Sequence, residues 1–528
     1  MNNAGSAAYA GAFFPQATGF NIRGGGFTSN ITNNVYNPLP EQPSAFRTVL
    51  LGDINLIKEF KAMRSSPQSS LVGRRTPGAS VRRVYTAKLE GRESGHMTVA
   101  LYEGDGAENA WNQHLAKYEA IRHPNIMQLY GLLSTTRLRG MVFHDELIPY
   151  AQFLRRFEHS PILSTYIIAY CTTEFREAAD YISCVFCVEP LIDYTVWVRP
   201  PTGELCLDLA PGAPGTSVGL ARWWKIHVLR LENLSLETPD SENIVISSLR
   251  EDQYHELCSG YPIAQSQYFQ VSTEHPVGLG IFRWDSQYWT FTKITEPLQI
   301  FPEELHWYNS NYGRAPDELL PNSWIRYEFH RTHLLELKLE FSYEIQKAWL
   351  AQANHIFAEL DEVTHAEDYG TSLTGCARSL FINRSTLATP VSPLARAIYS
   401  FVLPREFRTN TEPDANSYQW PACPAYWSLD PSGADRLSTE DAKSLGFPAI
   451  HIETSVVGKS WDHSVYEGLQ RFHEGKGFDP EGREVARRLG CPLFEGLSNR
   501  VPFPARKFKH PWCQLKDAEL CRELCHWL

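Results

Sequence analysis

The segment formed by residues 108–146 constrains the fold of this chain most strongly, because it predicts one helix and two strands in a fixed order. Four large side chains recur at helical spacing and predict that the helix buries one face: Trp111, Leu115, Tyr118 and Ile121. Pro124, in the sequence HPNI, then ends the helix, because proline disfavours helical geometry at the residue before it. Two apolar runs of strand length follow, MQLYGLL and RGMVFHDEL.

Regular elements are also predicted on both sides of this segment. Residues 81–91 (VRRVYTAKLEG) and 96–104 (HMTVALYEG) read as two strands joined by a short turn that contains glycine. Farther along the chain, apolar residues on one face predict a long helix over residues 160–182. Alternating leucines then predict a hairpin over residues 195–212, with its turn at 200–203.

This order of strands, helix, HPNI turn, strands, long helix and hairpin resembles a protein kinase domain. The similarity is to the degenerate, pseudokinase-like form that occurs in large protein families of mushroom-forming fungi. It implies an α+β fold with a kinase-like small lobe, in which an antiparallel sheet packs against a helix. A diverged large lobe and a mixed α/β C-terminal region would complete the chain.

Three positions in this alignment decide what chemistry the resemblance implies. Tyr102 stands where the strand lysine of V-A-x-K holds nucleotide phosphates, and His114 stands where a helix glutamate pairs with that lysine. Asp208 matches the aspartate of D-F-G, which binds magnesium. Gly78 is the sole glycine of the preceding loop, and no H-R-D-x-x-x-x-N motif precedes the hairpin. The resemblance therefore implies no catalytic residues and no cofactor, with ATP and magnesium at Asp208 as the alternative.

Three functions follow from this alignment. The first is a non-catalytic scaffold or regulatory protein, because phosphoryl transfer depends mainly on positioning and charge neutralisation by residues that are replaced here. The second is a divergent active kinase that holds ATP and magnesium through Asp208 and recruits Lys88 or Lys117 as its lysine. The third is a signalling adaptor that assembles through residues 13–37.

Composition limits the partners and the location of the chain. Its 49 basic and 60 acidic residues give a net charge of −11, which argues against nucleic acid as a main partner. No apolar run reaches the length of about 18 residues that a membrane helix needs. The N-terminus lacks the basic segment and long apolar core of a secretory signal. We therefore expect protein partners, no membrane insertion and a cytoplasmic location.

The chain is predicted to contain four regions. Residues 1–45 form a flexible leader rich in glycine and asparagine, and residues 46–215 form the degenerate kinase-like domain. Residues 216–375 form a diverged or separate α+β region that carries no recognisable chemistry. Residues 376–528 form a region rich in aromatic residues and proline, with short helices.

Several local patterns give further predictions. Residues 53–63 (DINLIKEFKAM) favour a short helix capped by Asp53, and residues 343–363 favour one amphipathic helix. Cys184 and Cys187 lie in an apolar run and are predicted to be buried core thiols. Four residues that cluster in sequence are interpreted as solvated helix faces rather than a metal or acid–base site: Asp462, His463, His473 and Asp479.

Overall fold

A computed structural model describes most of residues 46–508. Outside the description lie residues 1–45, 61–80, 92–94, 136–137, 188–193, 211–226, 233, 261, 273, 276, 299–303, 309–317, 320–324, 329–333, 341–343, 362–364, 383–398, 403–416, 419–424, 431, 446, 448–449, 498–499 and 509–528. The predicted leader and the loop that contains Gly78 therefore lie outside the described residues.

The N-terminal part of the described chain is a six-stranded sheet with one helix packed on it. Its elements are β1 (Arg47–Thr48), β2 (Ile54–Phe60), β3 (Val81–Leu89), β4 (Met97–Glu103), α1 (Ala107–Ala120), β5 (Leu129–Ser134) and β6 (Arg139–Phe143). The strand order is β1-β5-β6-β4-β3-β2, and all pairs are antiparallel except β1 with β5. The prediction of two strands, a helix and two more strands is confirmed.

The helix α1 lies against this sheet through its predicted apolar face. Tyr118 is buried in the core, and Leu115 packs against the same core. The Trp111 indole N–H donates to the Gly140 carbonyl oxygen on β6 at 3.1 Å. The side chains that gave the helical periodicity therefore also set the position of the helix.

A long helix and a hairpin continue from the sheet. They are formed by β7 (Ile148–Pro149), α2 (Tyr150–Leu154), α3 (Pro161–Phe186), β8 (Thr195–Arg199) and β9 (Glu204–Asp208). Ser160 caps α3, because its hydroxyl accepts a hydrogen bond from the Leu163 amide at 3.1 Å. Both the long helix and the hairpin were predicted from the sequence.

The rest of the described chain mixes short helices with many strands. Its elements are α4 (Ser241–Ser248), α5 (Glu251–Ser259), β10 (Gln265–Val271), β11 (Val277–Gly278), β12 (Ile281–Asp285), β13 (Thr290–Pro297), β14 (Glu304–Tyr308), β15 (Glu318–Leu319), β16 (Ile325–Glu328), β17 (Leu334–Glu340), α6 (Glu344–Leu350), α7 (Ala353–Glu359), β18 (Tyr369–Ile382), β19 (Tyr399–Val402), β20 (Ser417–Tyr418), β21 (Ala425–Ser428), α8 (Thr439–Ser444), β22 (Ile450–Ser460), α9 (His463–Gly475), α10 (Glu484–Arg488), β23 (Phe494–Gly496) and β24 (Phe503–Lys507). The described chain is therefore of the mixed α+β class, as predicted.

Six of these strands close into a barrel. Each pairs with the next in the order β12, β13, β24, β10, β22 and β18, and β18 pairs back to β12. Strands of the barrel contribute a cluster of buried apolar side chains: Phe269, Val271, Phe282, Phe291, Val456 and Ala505. The strand β18 crosses the boundary predicted between residues 375 and 376, so strands on both sides of it share one sheet.

Two local predictions were wrong. Residues 54–60 form the strand β2, because their backbone pairs antiparallel with β3 instead of closing helical hydrogen bonds. The single helix over residues 343–363 is divided into α6 and α7. The division lies at Gln352, a buried residue whose amide group bonds the Pro492 carbonyl and the Phe494 N–H, each at 2.9 Å. These contacts with a distant segment hold the chain away from helical geometry.

One further property concerns membranes. Throughout the part of the chain that the structure describes, every helix is too short or too polar to cross a bilayer.

Candidate functional site

The three positions singled out by the sequence lie together where the N-terminal sheet meets the hairpin β8–β9. Tyr102 is at the end of β4, His114 is on α1, and Asp208 is the last residue of β9. The Tyr102 hydroxyl lies 2.9 Å from His114 Nδ1. Alternation along β4 turns Tyr102 toward α1, because residues 100 and 102 face the same side of a strand.

Arg82 on β3 joins these residues to Asp208. One guanidinium nitrogen donates to Asp208 Oδ2 at 2.7 Å and the other donates to Oδ1 at 3.3 Å. The Arg82 Nε–H also donates to the Tyr102 oxygen at 3.1 Å. The side chains of Arg82 and Asp208 are only 8% and 0% exposed, so this is a buried ion pair. Charge-assisted bidentate pairs are the strong class of hydrogen bond.

Tyr118 completes the surroundings of the Asp208 carboxylate. Its hydroxyl donates to Asp208 Oδ1 at 2.6 Å, and the Ala210 N–H donates to the same oxygen at 3.0 Å. The Tyr118 oxygen in turn accepts from the Leu209 N–H at 3.1 Å. Lys117 donates to the Leu209 carbonyl oxygen at 3.2 Å. The backbone after Asp208 is therefore fixed by side chains of α1.

Burial and nearby charges shift the pKa values of four groups in this cluster. Burial by itself would lower the pKa of Arg82, but the charge of Asp208, its hydrogen bond and the nearby hydroxyl groups of Tyr102 and Tyr118 together outweigh burial and raise that pKa above its usual range. Burial raises the pKa of Tyr102 to about 12 and raises that of Tyr118 well above its ordinary value. Burial, together with the charges of Arg82 and Lys117, lowers the pKa of His114 to about 4. At neutral pH Arg82 is therefore charged, whereas both tyrosines and His114 are neutral.

These protonation states define the direction of a hydrogen-bond chain. Because Arg82 Nε donates to the Tyr102 oxygen, the hydroxyl proton of Tyr102 is free to point elsewhere. The neutral imidazole of His114 is a better acceptor than the Met141 sulfur, which lies 3.7 Å from the same oxygen. The arrangement therefore favours Tyr102 donating to His114 Nδ1, with the imidazole proton on Nε2. The contact between Tyr102 and His114 is therefore a hydrogen bond between two neutral side chains.

The residues around Asp208 do not fit a magnesium ion with ATP. Magnesium requires oxygen ligands at about 2.0–2.1 Å in octahedral geometry. Both Asp208 oxygens already accept hydrogen bonds, and the Arg82 cation lies against them. Two lysines were predicted to take the place of the kinase lysine. The first, Lys88, is exposed and lies six residues from Arg82 along β3, a strand distance of about 20 Å. Lys117, the second, lies beside the cluster.

Arg82 and Tyr118 are the members of the cluster that the sequence analysis missed. Both could have been found from simple spacing. Arg82 lies directly opposite Tyr102 in the antiparallel register of β3 and β4, which the turn between those strands sets. Tyr118 follows His114 by four residues and therefore shares its helix face.

Two other sequence interpretations are corrected by the structure. Cys184 and Cys187 are exposed free thiols near the end of α3, because the apolar run extends past the part of the helix that faces the core. His473 is buried rather than solvated, and its Nε2 lies 3.0 Å from Nε2 of His255. The other three members of its predicted group make local surface contacts. Asp462 caps α9, Asp479 accepts from the Glu481 N–H, and His463 Nε2 lies 3.3 Å from Glu467.

Comparison with known proteins gives no further assignment. No protein-family model matches this chain, and no curated protein sequence matches it.

Proposed function

We propose that residues 46–215 form a degenerate kinase-like domain that acts as a non-catalytic scaffold or regulatory unit through protein partners. The observation that carries the proposal is the buried pair of Arg82 with Asp208. In the kinase alignment, Asp208 stands at the magnesium position. Here a guanidinium of the chain itself neutralises that carboxylate, so the fold has no need of a metal ion at this point.

The energetics of the pair support the proposal. A metal ion that took Asp208 would leave the Arg82 charge buried without its partner. Loss of one member of a buried ion pair costs roughly 3–5 kcal/mol. Binding of ATP with magnesium at Asp208 would have to exceed this cost before it became measurable.

The contact between Tyr102 and His114 supports the regulatory part of the proposal. In an active kinase, a lysine–glutamate ion pair couples the position of the helix to the nucleotide. Here a neutral hydrogen bond links β4 to α1, and the Trp111 N–H links α1 to β6. The helix is thus held on the sheet by contacts that involve no phosphate. We infer that the domain presents one fixed surface to its partners.

A divergent active kinase is the second candidate, and Lys117 is the observation that favours it. Its ammonium group lies 3.2 Å from the Leu209 carbonyl oxygen, one residue past Asp208. A rearrangement that released Asp208 from Arg82, at the cost given above, would free this carboxylate near the Lys117 ammonium group. This candidate requires nucleotide binding, whereas the scaffold does not.

Thermal unfolding of the full chain with millimolar ATP, with and without magnesium, separates the two candidates. For the scaffold we expect no rise in melting temperature and no transfer of radiolabelled phosphate to an added protein substrate. Ligand at about 100 times its Kd would stabilise the folded state by about 2.7 kcal/mol, which is readily detected. Lys117→Met serves as the specific variant and Lys88→Met as its exposed control.

A magnesium-dependent rise in melting temperature would contradict the scaffold proposal if it disappears in Lys117→Met but persists in Lys88→Met. Phosphate transfer that Asp208→Asn abolishes in a folded protein, as judged by circular dichroism, would do the same.

A further inference from the structure

The mouth of the six-stranded barrel contains a cavity of about 280 Å³ that the proposed function does not use. One wall consists of aromatic side chains from β10, β12 and β13: Phe269, Phe282, Trp284 and Phe291. The rings of Phe282 and Phe291 stack with their centroids 4.5 Å apart, and Phe269 and Trp284 lie 5.7 Å apart. Ligand sites commonly occur at barrel mouths and combine an apolar wall with a few polar groups.

The rest of the lining is polar and carries both donors and acceptors. Gln265 and Gln267 of β10 belong to it, and the Gln267 amide donates to the Ser460 hydroxyl at 2.8 Å. Asp368 and Lys507 contribute one carboxylate and one ammonium group. Burial raises the pKa of Asp368 and lowers that of Lys507, so both groups lie partly out of water. Perturbed groups of this kind beside an apolar cavity are typical of binding sites.

The charges around the cavity exclude strongly charged ligands. Three carboxylates line it, from Glu367, Asp368 and Asp462, and they would repel an anion. The Lys507 ammonium group lies 4.7 Å from the centroid of the Trp284 ring, so the aromatic face already holds a cation. The remaining lysine of the lining, Lys459, directs its ammonium group to the Ser266 hydroxyl at 2.8 Å. A neutral ligand with one apolar face and several hydroxyl groups suits these walls best.

Exposed aromatic residues extend the apolar wall outward. Tyr288 and Trp289 lie at the tip of the β12–β13 hairpin and are 69% and 56% exposed. The Trp289 ring contacts Trp284 edge to face, with the centroids 6.4 Å apart. The indole N–H of Trp284 is buried and makes no hydrogen bond to another described residue. The aromatic surface therefore continues from the cavity onto the outer tip of the hairpin.

We propose that the barrel mouth binds a neutral carbohydrate, with one sugar ring in the cavity and a second against Trp289. The C–H face of a sugar ring packs on the phenylalanine rings of the aromatic wall, because Lys507 already lies over the ring of Trp284. The sugar hydroxyl groups bond the two glutamines, Asp368 and Lys507. The cavity volume is close to the lower limit of about 300 Å³ for ligand pockets, which suits a single ring.

Titration calorimetry on the full chain tests this proposal with neutral mono-, di- and trisaccharides of glucose, mannose and N-acetylglucosamine as probes. We expect saturable binding of at least one series, stronger for the disaccharide than for its monosaccharide. Gln265→Ala and Trp289→Ala should each weaken binding roughly three- to tenfold, as one lost polar or packing contact would. Both positions border solvent, so folding should be preserved.

Matched controls are available on the same chain. Gln470→Ala on α9 and Leu298→Ala, both exposed and outside the cavity lining, should leave sugar binding unchanged. Failure of all the sugars to bind at millimolar concentration would overturn the proposal. So would binding that Gln265→Ala and Trp289→Ala leave intact, or preferential binding of tetramethylammonium or benzoate over every sugar.

Discussion

Arg82 is important for the stability of the fold because its charge is buried. The neighbouring arginine, Arg83, has an exposed charge and provides a comparison. Arg83 follows Arg82 on β3 but turns to the other face of the sheet. Its side chain is 42% exposed and lies 3.5 Å from Glu59 and 3.6 Å from Glu103. Exposed pairs of this kind contribute little, because water already solvates both partners. Two adjacent arginines, each near carboxylates, should therefore differ greatly in their effect on stability.

This contrast gives a direct prediction. Arg82→Met should lower the free energy of unfolding by roughly 3–5 kcal/mol, because it leaves the Asp208 charge buried without its partner. The control Arg83→Met should leave it nearly unchanged, because water already solvates that exposed side chain. In the double variant Arg82→Met/Asp208→Leu, which removes both charges, most of the loss should be recovered. Urea unfolding measures all three values. Equal losses of unfolding free energy in the Arg82 and Arg83 variants would contradict the conclusion that the buried pair of Arg82 with Asp208 stabilises the fold.

The sequence located part of this cluster and missed the rest for a physical reason. Tyr102, His114 and Asp208 were found because each occupies a position in a known pattern. The resemblance points to single positions and gives no information about the side chains that surround them. Arg82 was missed because its position depends on strand register, and Tyr118 was missed because its ring fits the apolar face of the helix.

The helices α5 and α9 are joined by a second buried pair, formed by His255 of α5 and His473 of α9. The His255 Nδ1–H donates to the Glu251 carbonyl oxygen at 2.7 Å, so its Nε2 accepts from the Nε2–H of His473. Burial is the main cause that lowers the pKa of His255 to about 4 and that of His473 to about 3. Lys347 of α6 lowers the pKa of His255 further, while Glu251 and Asp252 oppose it.

The packing of α5 on α9 should therefore weaken in acid. The folded protein binds fewer protons than the unfolded chain at these two sites, so their contribution is complete above pH 6.5. It falls as the pH drops from about 6.5 toward 4 for His255 and toward 3 for His473, by up to about 1.4 kcal/mol per pH unit for each histidine. Denaturant unfolding at a series of pH values measures this slope. The variant His255→Leu/His473→Leu should give a flatter profile, and the exposed control His463→Gln should not. Parallel profiles for the double variant and the wild type would contradict the assignment.

The secondary structure was predictable where local pattern and tertiary contacts agree. The helix α1 shows this agreement, because the side chains that define its periodicity also contact the sheet. In residues 54–60 the two disagree. Their sequence pattern favours a helix, but their backbone pairs with the edge of β3 and forms a strand. The helix predicted over residues 343–363 failed for the same reason at Gln352. The barrel was not foreseen, because its strands come from segments far apart and only their pairing reveals a ring.

For the molecule as a whole, the sequence prediction that concerns residues 1–45 can be tested by deletion. Their glycine and asparagine content gives them little apolar surface to bury against the rest of the chain. Removal of residues 1–45 should therefore change the melting temperature by less than about 2 °C. A larger drop would mean that the leader packs on the folded domain. If the leader assembles, a peptide of residues 13–37 should form fibrils with a repeat of about 4.7–4.8 Å.

The barrel can close only late in the synthesis of the chain, because its strands lie far apart in the sequence. Gln267 and Ser460, which bond each other at its mouth, are separated by 193 residues. At the usual rate of synthesis, about 10 to 40 s elapse between them on the ribosome. During that interval β10, β12 and β13 have no ring to close, and their unpaired edges are open to other chains. A chaperone that shields nascent strands should therefore raise the yield of folded protein by more than the stability of the folded state would suggest.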